Sequence, residues 1–277
     1  MTSLRNVERQ AQSLSDIRAI MNSMRSLAYM ETTKLGRIVP AQRAVTAHIE
    51  TAAADLLAFH PDIVPQADVA DQVWVVLGTE RGFCGSLNQT LLQHIAGESG
   101  APPGHSDTII AIGRKLHAVL ENAAVARQPL TYLDGAGVTE ETPSVINRII
   151  DELDTLQRND NSLAISAIYH DSQNQLLVRE LLPPFRALSE GNEAHANPPI
   201  IGVAPADLLM DLSDQYLFSV LFEILYDSLL NENLHRVRHL GEAVRHLDKQ
   251  TVSLAHRANA LRQEQIIEEI EVLLLNI

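Results

Sequence analysis

The feature that most constrains this chain is its last third, from about Asp211 to Ile277, which holds no proline and one glycine, Gly241. Within it Leu240, Val244, Leu247, Thr251, Leu254, Ala258, Leu261 and Gln265 recur at alternating steps of four and three. That alternation keeps one stripe of a helix against a partner helix. At 1.5 Å per residue such a helix is roughly 95 Å long, more than a domain of this size is wide. An isolated seam of this length needs a companion helix to cover it. The opposite end of the chain supplies one. Residues 2–39 also lack proline, and Leu4, Val7, Ala11, Leu14, Met21, Met24, Ala28 and Leu35 fit the same alternation, weakened at Arg18 and Glu31. Two seamed helices at opposite ends of one chain most simply pair antiparallel, and the middle then forms its own domain.

Pro40 is expected to end the first helix, because the residue before a proline is pushed out of the helical region. Helical pattern resumes from Ala41 to about Phe59 through Val45, Ile49, Ala53, Leu56 and Leu57, and Pro61 and Pro65 close it. A different rhythm follows. Val73–Leu77 and Thr108–Ile112 are continuous apolar runs, each followed by glycine and a helical pattern. A third strand is expected near Leu130–Leu133, followed by a helix from Pro143 to about Arg158. Leu163–Tyr169 and Gln175–Leu182 are separated by the polar turn Asp171-Ser172-Gln173-Asn174, which predicts a hairpin. Strands alternating with helices give a mostly parallel sheet covered on both faces. The segment 183–205 carries five prolines and reads as an irregular connection. The predicted fold class is therefore α/β: an antiparallel coiled coil of long terminal helices with an inserted Rossmann-like α/β domain. The expected divisions are 1–60, 61–205 and 206–277.

Composition narrows the function. The single cysteine, Cys84, excludes an internal disulfide, and no run of 18 apolar residues exists to span a membrane. The N-terminus is charged and amphipathic and lacks the apolar core of a signal peptide. Net charge is −14, but residues 1–39 carry +3 and the middle of the chain −16. Nucleic acid is thus a poor partner, and an acidic protein surface suits the basic first helix.

Each local motif has a plain structural reading. The turn from Gly78 to Ser86 joins a strand to a helix, a place where backbone amides can hold phosphate. It lacks the Lys-Ser or Lys-Thr of a phosphate loop and the glycine spacing of a dinucleotide fingerprint, so it reads as a structural turn. Cys84 at the start of the next helix has no base oriented toward it by sequence, His94 and His105 being the nearest histidines, and reads as a small buried residue. His235, His239 and His246 have spacing that can bind zinc, but no cysteine or carboxylate completes a set, and they read as helix-surface histidines. Arg262-Gln263-Glu264-Gln265 makes the seam polar near the C-terminus, either as a fraying end or as a surface facing another protein. No metal or cofactor is expected.

Those residues resemble one family over nearly the whole chain. Thr79-Glu80-Arg81-Gly82-Phe83-Cys84-Gly85-Ser86-Leu87-Asn88 is similar to the Ser-Asp-Arg-Gly-Leu-Cys-Gly-Gly-Leu-Asn of the gamma subunit of F-type ATP synthases. Asn259, Arg262, Gln263, Ile266 and Glu269 fit that family's C-terminal pattern, Tyr216, Ser219, Glu232 and Arg236 the start of its long helix, and Ile20, Met24 and Ala28 its N-terminal helix. The chain departs from the pattern at Met21, Asn22, Ser23, Arg25 and Ile267, and in its acidity.

The resemblance implies a central rotor shaft inside a ring of catalytic alpha and beta subunits, with an epsilon subunit and a membrane ring of c subunits as further partners. It places the chain peripherally on the cytoplasmic face of a bacterial inner membrane. It implies contacts to the alpha/beta ring from Met21, Met24, Arg25, Arg262, Gln263, Ile266 and Glu269. Arg81, Gly82, Cys84, Gly85 and Asn88 are the implied structural turn, and Tyr216, Glu223, Glu232 and Arg236 the implied rotor foot. A redox insert of the plant type needs two cysteines, so it is excluded here. Two rival readings use the same residues: a stand-alone α/β enzyme working at the Gly78–Gly85 turn, and a coiled-coil adaptor.

Overall fold

A computed structural model describes residues 4–63, 71–97, 107–123, 130–157, 163–185 and 199–275. The elements in order are α1 (Leu4–Phe59), β1 (Asp71–Leu77), α2 (Leu87–Ile95), β2 (Thr108–Ile112), α3 (Arg114–Asn122), β3 (Leu130–Leu133), α4 (Thr142–Gln157), β4 (Leu163–His170), β5 (Leu176–Leu182) and α5 (Pro205–Leu275). The expected end of the fourth helix at Arg158 and most of the proline-rich connection lie outside the described residues.

The chain divides into two compact units. One holds residues 1–30 and 235–277, the other residues 31–234. Both long helices therefore contribute to both units, and the bounds at 60 and 206 do not coincide with this division.

In the larger unit the sheet order is β3-β2-β1-β4-β5. β1 pairs in parallel with β2 and with β4, β2 pairs in parallel with β3, and β4 pairs antiparallel with β5. The apolar runs become strands because both sheet faces are covered. Val73, Val75 and Leu77 point into a core completed by Leu35, Leu56 and Leu57 of α1, Ile146 and Ile149 of α4, and Val220, Leu221 and Ile224 of α5. Val76 points the other way, into a smaller core with Leu91 and Ile95 of α2 and Leu116 and Leu120 of α3. The hairpin turn is closed by Asp171, whose Oδ1 accepts from the backbone N–H of Gln173 (3.0 Å) and Gln175 (2.7 Å). Asn174 takes the left-handed conformation there, φ 65°, which asparagine tolerates better than most residues.

Pro40 does not end α1, which runs through it as one 56-residue helix. A proline inside a helix removes one backbone hydrogen bond and crowds the carbonyl four residues back, at a cost of about 3 kcal/mol. Pro40 and Gly36 are both exposed, so the freed carbonyl faces water. Leu35 and Val39, 0% and 2% exposed, bind the helix to its neighbours on the other side. Burial of two such side chains, about 1.5–3 kcal/mol each, offsets the local loss.

α1 and α5 pair within this unit. Gln42 donates to the Ser219 carbonyl and hydroxyl, each at 3.0 Å, and Arg43 Nη2 lies 2.6 Å from Asp227 Oδ2. Asp227 Oδ1 also accepts from the Ser172 N–H at 3.1 Å, which ties the hairpin turn to the helix. Glu31 is not idle at its seam position: its Oε2 accepts from the Thr139 N–H (3.1 Å) and hydroxyl (2.7 Å).

Candidate functional site

In an open α/β sheet a ligand normally sits outside the carboxyl ends of the strands where the connection order reverses. Here the connections leave β1 toward β2 and return from β3 to β4, so the reversal lies beside the C-terminal end of β1. The Gly78–Ser86 turn occupies that place. The backbone donors of its first four residues, Gly78 to Arg81, are already used. The N–H groups of Glu80 and Arg81 each donate to Glu232 of α5, at 3.1 Å to separate carboxylate oxygens. Glu80 turns inward, 5% exposed, and its Oε2 accepts from the N–H groups of Arg114 (3.0 Å) and Gly135 (2.9 Å) while Oε1 pairs with Arg114 Nε. Two buried carboxylates thus do for these amides what a bound phosphate would do. The space left among Leu77, Gly78, Ile112, Gly135, Leu229 and Glu232 is about 20 Å³, room for about one water and for no nucleotide.

The motif residues that the sequence singles out brace the turn. Asn88 Oδ1 accepts from the Thr79 N–H and Asn88 Nδ2 donates to Thr79 Oγ1, both at 2.9 Å. Cys84 is 6% exposed, and its Sγ contacts the carbonyls of Arg81 and Gly82 at 3.3 Å. Gly85 sits at φ 66°, where a side chain is strained. Gly78 has no room for one: a Cβ there would lie 2.4 Å from Leu116 Cβ. The Arg81 guanidinium packs against Gly137, where a Cβ would lie 2.6 Å from Arg81 Nε. A Cβ on Gly82 would make only ordinary contact, 3.9 Å from Lys115 Cε.

The expected foot residues have internal commitments. Tyr216 is buried and packs on Phe185, ring centroids 4.9 Å apart. Glu223 pairs with Arg179 at 2.9 Å, and Arg179 reaches Glu50 at 3.1 Å, linking α5, β5 and α1. Burial pulls the Arg179 pKa down, but Glu223 and Tyr216 outweigh it and the net shift is upward. Glu232 and Arg236 are each 4% exposed. These side chains thus carry contacts within the chain, and sequence alone gave no sign of those partners.

The smaller unit is an antiparallel pair of helices. Its seam is the expected one: Val7, Ala28, Leu240, Val244, Leu247 and Ala258 are buried, and Met21, Met24, Thr251, Leu254 and Leu261 half-buried. Arg18 pairs with Asp248, and Arg262 Nη2 lies 2.6 Å from Glu8 Oε1. The expectation that Arg262 turns away from the partner helix is therefore revised: it reaches across to α1. From Gln263 to Leu274 every side chain is exposed, including Ile266, Ile267, Ile270, Val272, Leu273 and Leu274 at 50–68%. Gln263 and Glu269 share that open end. Arg25 lines a cleft in this unit beside Gly241. His235 is buried with neither ring nitrogen hydrogen-bonded, and burial, then Arg238 and His239, push its pKa down.

The comparisons agree with this geometry. The family model described as ATP synthase matches residues 3–273. The ATP synthase gamma chain of Dichelobacter nodosus is 23% identical over 283 residues, covering 98% of this chain and 96% of that protein. The mitochondrial ATP synthase subunit gamma of Yarrowia lipolytica is 24% identical over 278 residues, covering 96% and 88%. A chain of the Euglena gracilis mitochondrial ATP synthase OSCP/F1/c-ring structure superposes with a TM-score of 0.61 at 14% identity, covering 99% of this chain and 93% of that one. With a family model spanning all but a few terminal residues, the chain belongs to the ATP synthase family, and its curated relatives there are gamma chains.

Proposed function

We propose that this chain is the central-stalk rotor of an F-type ATP synthase, coupling rotation of a membrane c ring to ATP synthesis or hydrolysis in an alpha/beta ring. The observation that carries the reading is the end-to-end match to gamma chains together with an antiparallel helix pair whose C-terminal end stands open. The role is mechanical and not catalytic. An asymmetric shaft presents different side chains to each surrounding subunit, and different contacts bias those subunits to different states. Met21, Met24, Arg25, Arg262, Gln263, Ile266 and Glu269 are the residues we assign to the alpha/beta ring. The epsilon subunit and the c ring complete the partner set. No described helix is long and apolar enough to cross a membrane. Membrane association through the complex, at the cytoplasmic face of a bacterial inner membrane, is part of this proposal.

The enzyme reading loses its site, because Glu232 holds the amides a ligand would need. The test is co-expression with the neighbouring alpha, beta and epsilon subunits. ATP-driven rotation of a probe fixed to this chain is the expected result. Isolation of an active alpha/beta complex that neither retains the chain nor changes its hydrolysis rate without it would overturn the assignment.

A further inference from the structure

We infer that the helix-pair unit carries an anion site for a polyphosphate, set in the cleft between α1 and α5. Arg25, Ser26 and Tyr29 of α1 and Arg238, Gly241 and Arg245 of α5 line a cleft of about 470 Å³. That is within the range of small-molecule sites and larger than one orthophosphate requires. Arg238, Gly241 and Arg245 recur at three and four residues, so they lie on one face of α5, and Arg25 and Tyr29 share a face of α1 by the same rule.

Three arginines line this one cleft in a chain whose net charge is −14, and no carboxylate lines it among the described residues. The nearest α5 carboxylates face elsewhere: Asp248 pairs with Arg18, and Glu242 lies 3.8 Å from His239. Like charges brought together repel, and an anion between them removes that repulsion. Guanidinium forks match phosphate oxygens two at a time. Arg25 is half-buried and held by Asn22 Oδ1 at 2.8 Å, which orients it before any ligand arrives. Gly241 keeps the floor open: a Cβ there would lie 3.8 Å from Arg25 Cδ, so alanine fits and a longer side chain fills the cleft. The site takes a chain of linked phosphates, for which pyrophosphate is the smallest probe. It shares Arg25 with the proposed alpha/beta contacts, but it is tested on the isolated chain and stands if the rotor assignment fails.

The experiment is calorimetric titration of the full chain with pyrophosphate at low salt, with thermal unfolding in parallel. The expected result is saturable binding that raises the melting temperature and weakens with added chloride. The Arg238→Gln/Arg245→Gln double variant should weaken binding at least about tenfold, and Gly241→Leu should abolish it. Arg5→Gln/Arg9→Gln removes the same charge from α1 away from the cleft and should leave binding within about twofold. Because Gly241 and Arg245 border the seam, circular dichroism checks that each variant folds; if one does not, Arg25→Gln takes its place. No binding up to about 5 mM pyrophosphate overturns the proposal, as does equal loss in the Arg5/Arg9 control. Binding of a glutamate-rich peptide that pyrophosphate cannot displace overturns it too, and assigns the cleft to an acidic protein segment.

Discussion

Arg262 donates to Glu8 across the helix pair, 2.6 Å from nitrogen to oxygen and 254 residues apart in the chain. Arg18 and Asp248 pair in the same sense further along. Together these two bridges fix an antiparallel register for the smaller unit with no reference to its apolar seam.

Both ends of the Arg262–Glu8 bridge are about half exposed. Exposed ion pairs contribute about 0–1 kcal/mol. Arg262→Ala should therefore lower the stability of the isolated chain by less than about 1 kcal/mol, with a coupling to Glu8→Ala of similar size in a double-mutant cycle. Arg262→Ala with Gln263→Ala should lower coupled ATP hydrolysis and pumping of the assembled complex by about 1–3 kcal/mol of lost charged hydrogen bonding. Normal turnover and pumping would take both residues off the partner surface.

Glu232→Ala is expected to act differently. It strands the N–H groups of Glu80 and Arg81, which Glu232 now satisfies. Losing a buried charged acceptor costs about 3 kcal/mol, read as a fall in the urea midpoint. Glu232→Gln keeps one carbonyl oxygen and should recover part of that loss. A midpoint unchanged in the alanine variant would mean the turn finds other acceptors.

Gly78→Ala places a methyl group 2.4 Å from Leu116 Cβ and 2.8 Å from Asn88 Oδ1. Overpacking of this kind costs about 1–3 kcal/mol. Gly36→Ala, with nothing within 4 Å of its added Cβ, should instead leave stability unchanged or raise it by up to about 1 kcal/mol. The contrast between these two glycines in thermal unfolding is the check.

His235 makes stability sensitive to acid. Its folded pKa is depressed, by burial first and then by Arg238 and His239. Below about pH 6.5 the unfolded chain binds a proton at this histidine that the folded chain does not. Stability should therefore fall as pH drops below about 6.5 and be indifferent to this group above about 7.5. His235→Leu should show a shallower loss below about pH 6.5 than wild type. Parallel pH profiles of the melting temperature would remove His235 as a contributor.

Cys84 is buried and should react slowly with a thiol reagent in the native protein, at a rate set by opening of the β1–α2 turn. Urea should release it. Labelling as fast in the native state as in the unfolded state would contradict the packed turn.

What could be read from sequence follows physical range. Val73–Leu77 and Thr108–Ile112 announced themselves because strands buried on both faces are apolar without interruption. The seam from Leu240 to Leu261 did so because periodicity is local. Pro40 misled, since the rule for the residue before proline is also local, while Leu35 and Val39 hold the helix by contacts from far along the chain. Glu31 and Glu232 were legible as charges and not as caps. Their partners, Thr139 and the Glu80–Arg81 amides, are 108 and about 150 positions away, and backbone donors leave no trace in side-chain pattern. The three arginines of the cleft were scattered in sequence and meet only when α1 and α5 pair.

Beyond Leu261 every described side chain of α5 is exposed, whereas the turns before it pack on α1. Two interdigitated helices resist twisting as one body. A single helix yields through its own backbone hydrogen bonds. Torque applied along the paired part would thus wind the unpaired end before it turned anything gripping that end. Such a compliant coupling stores angular displacement and releases it smoothly, so steps of unequal size at the two ends of the shaft can be reconciled without slippage.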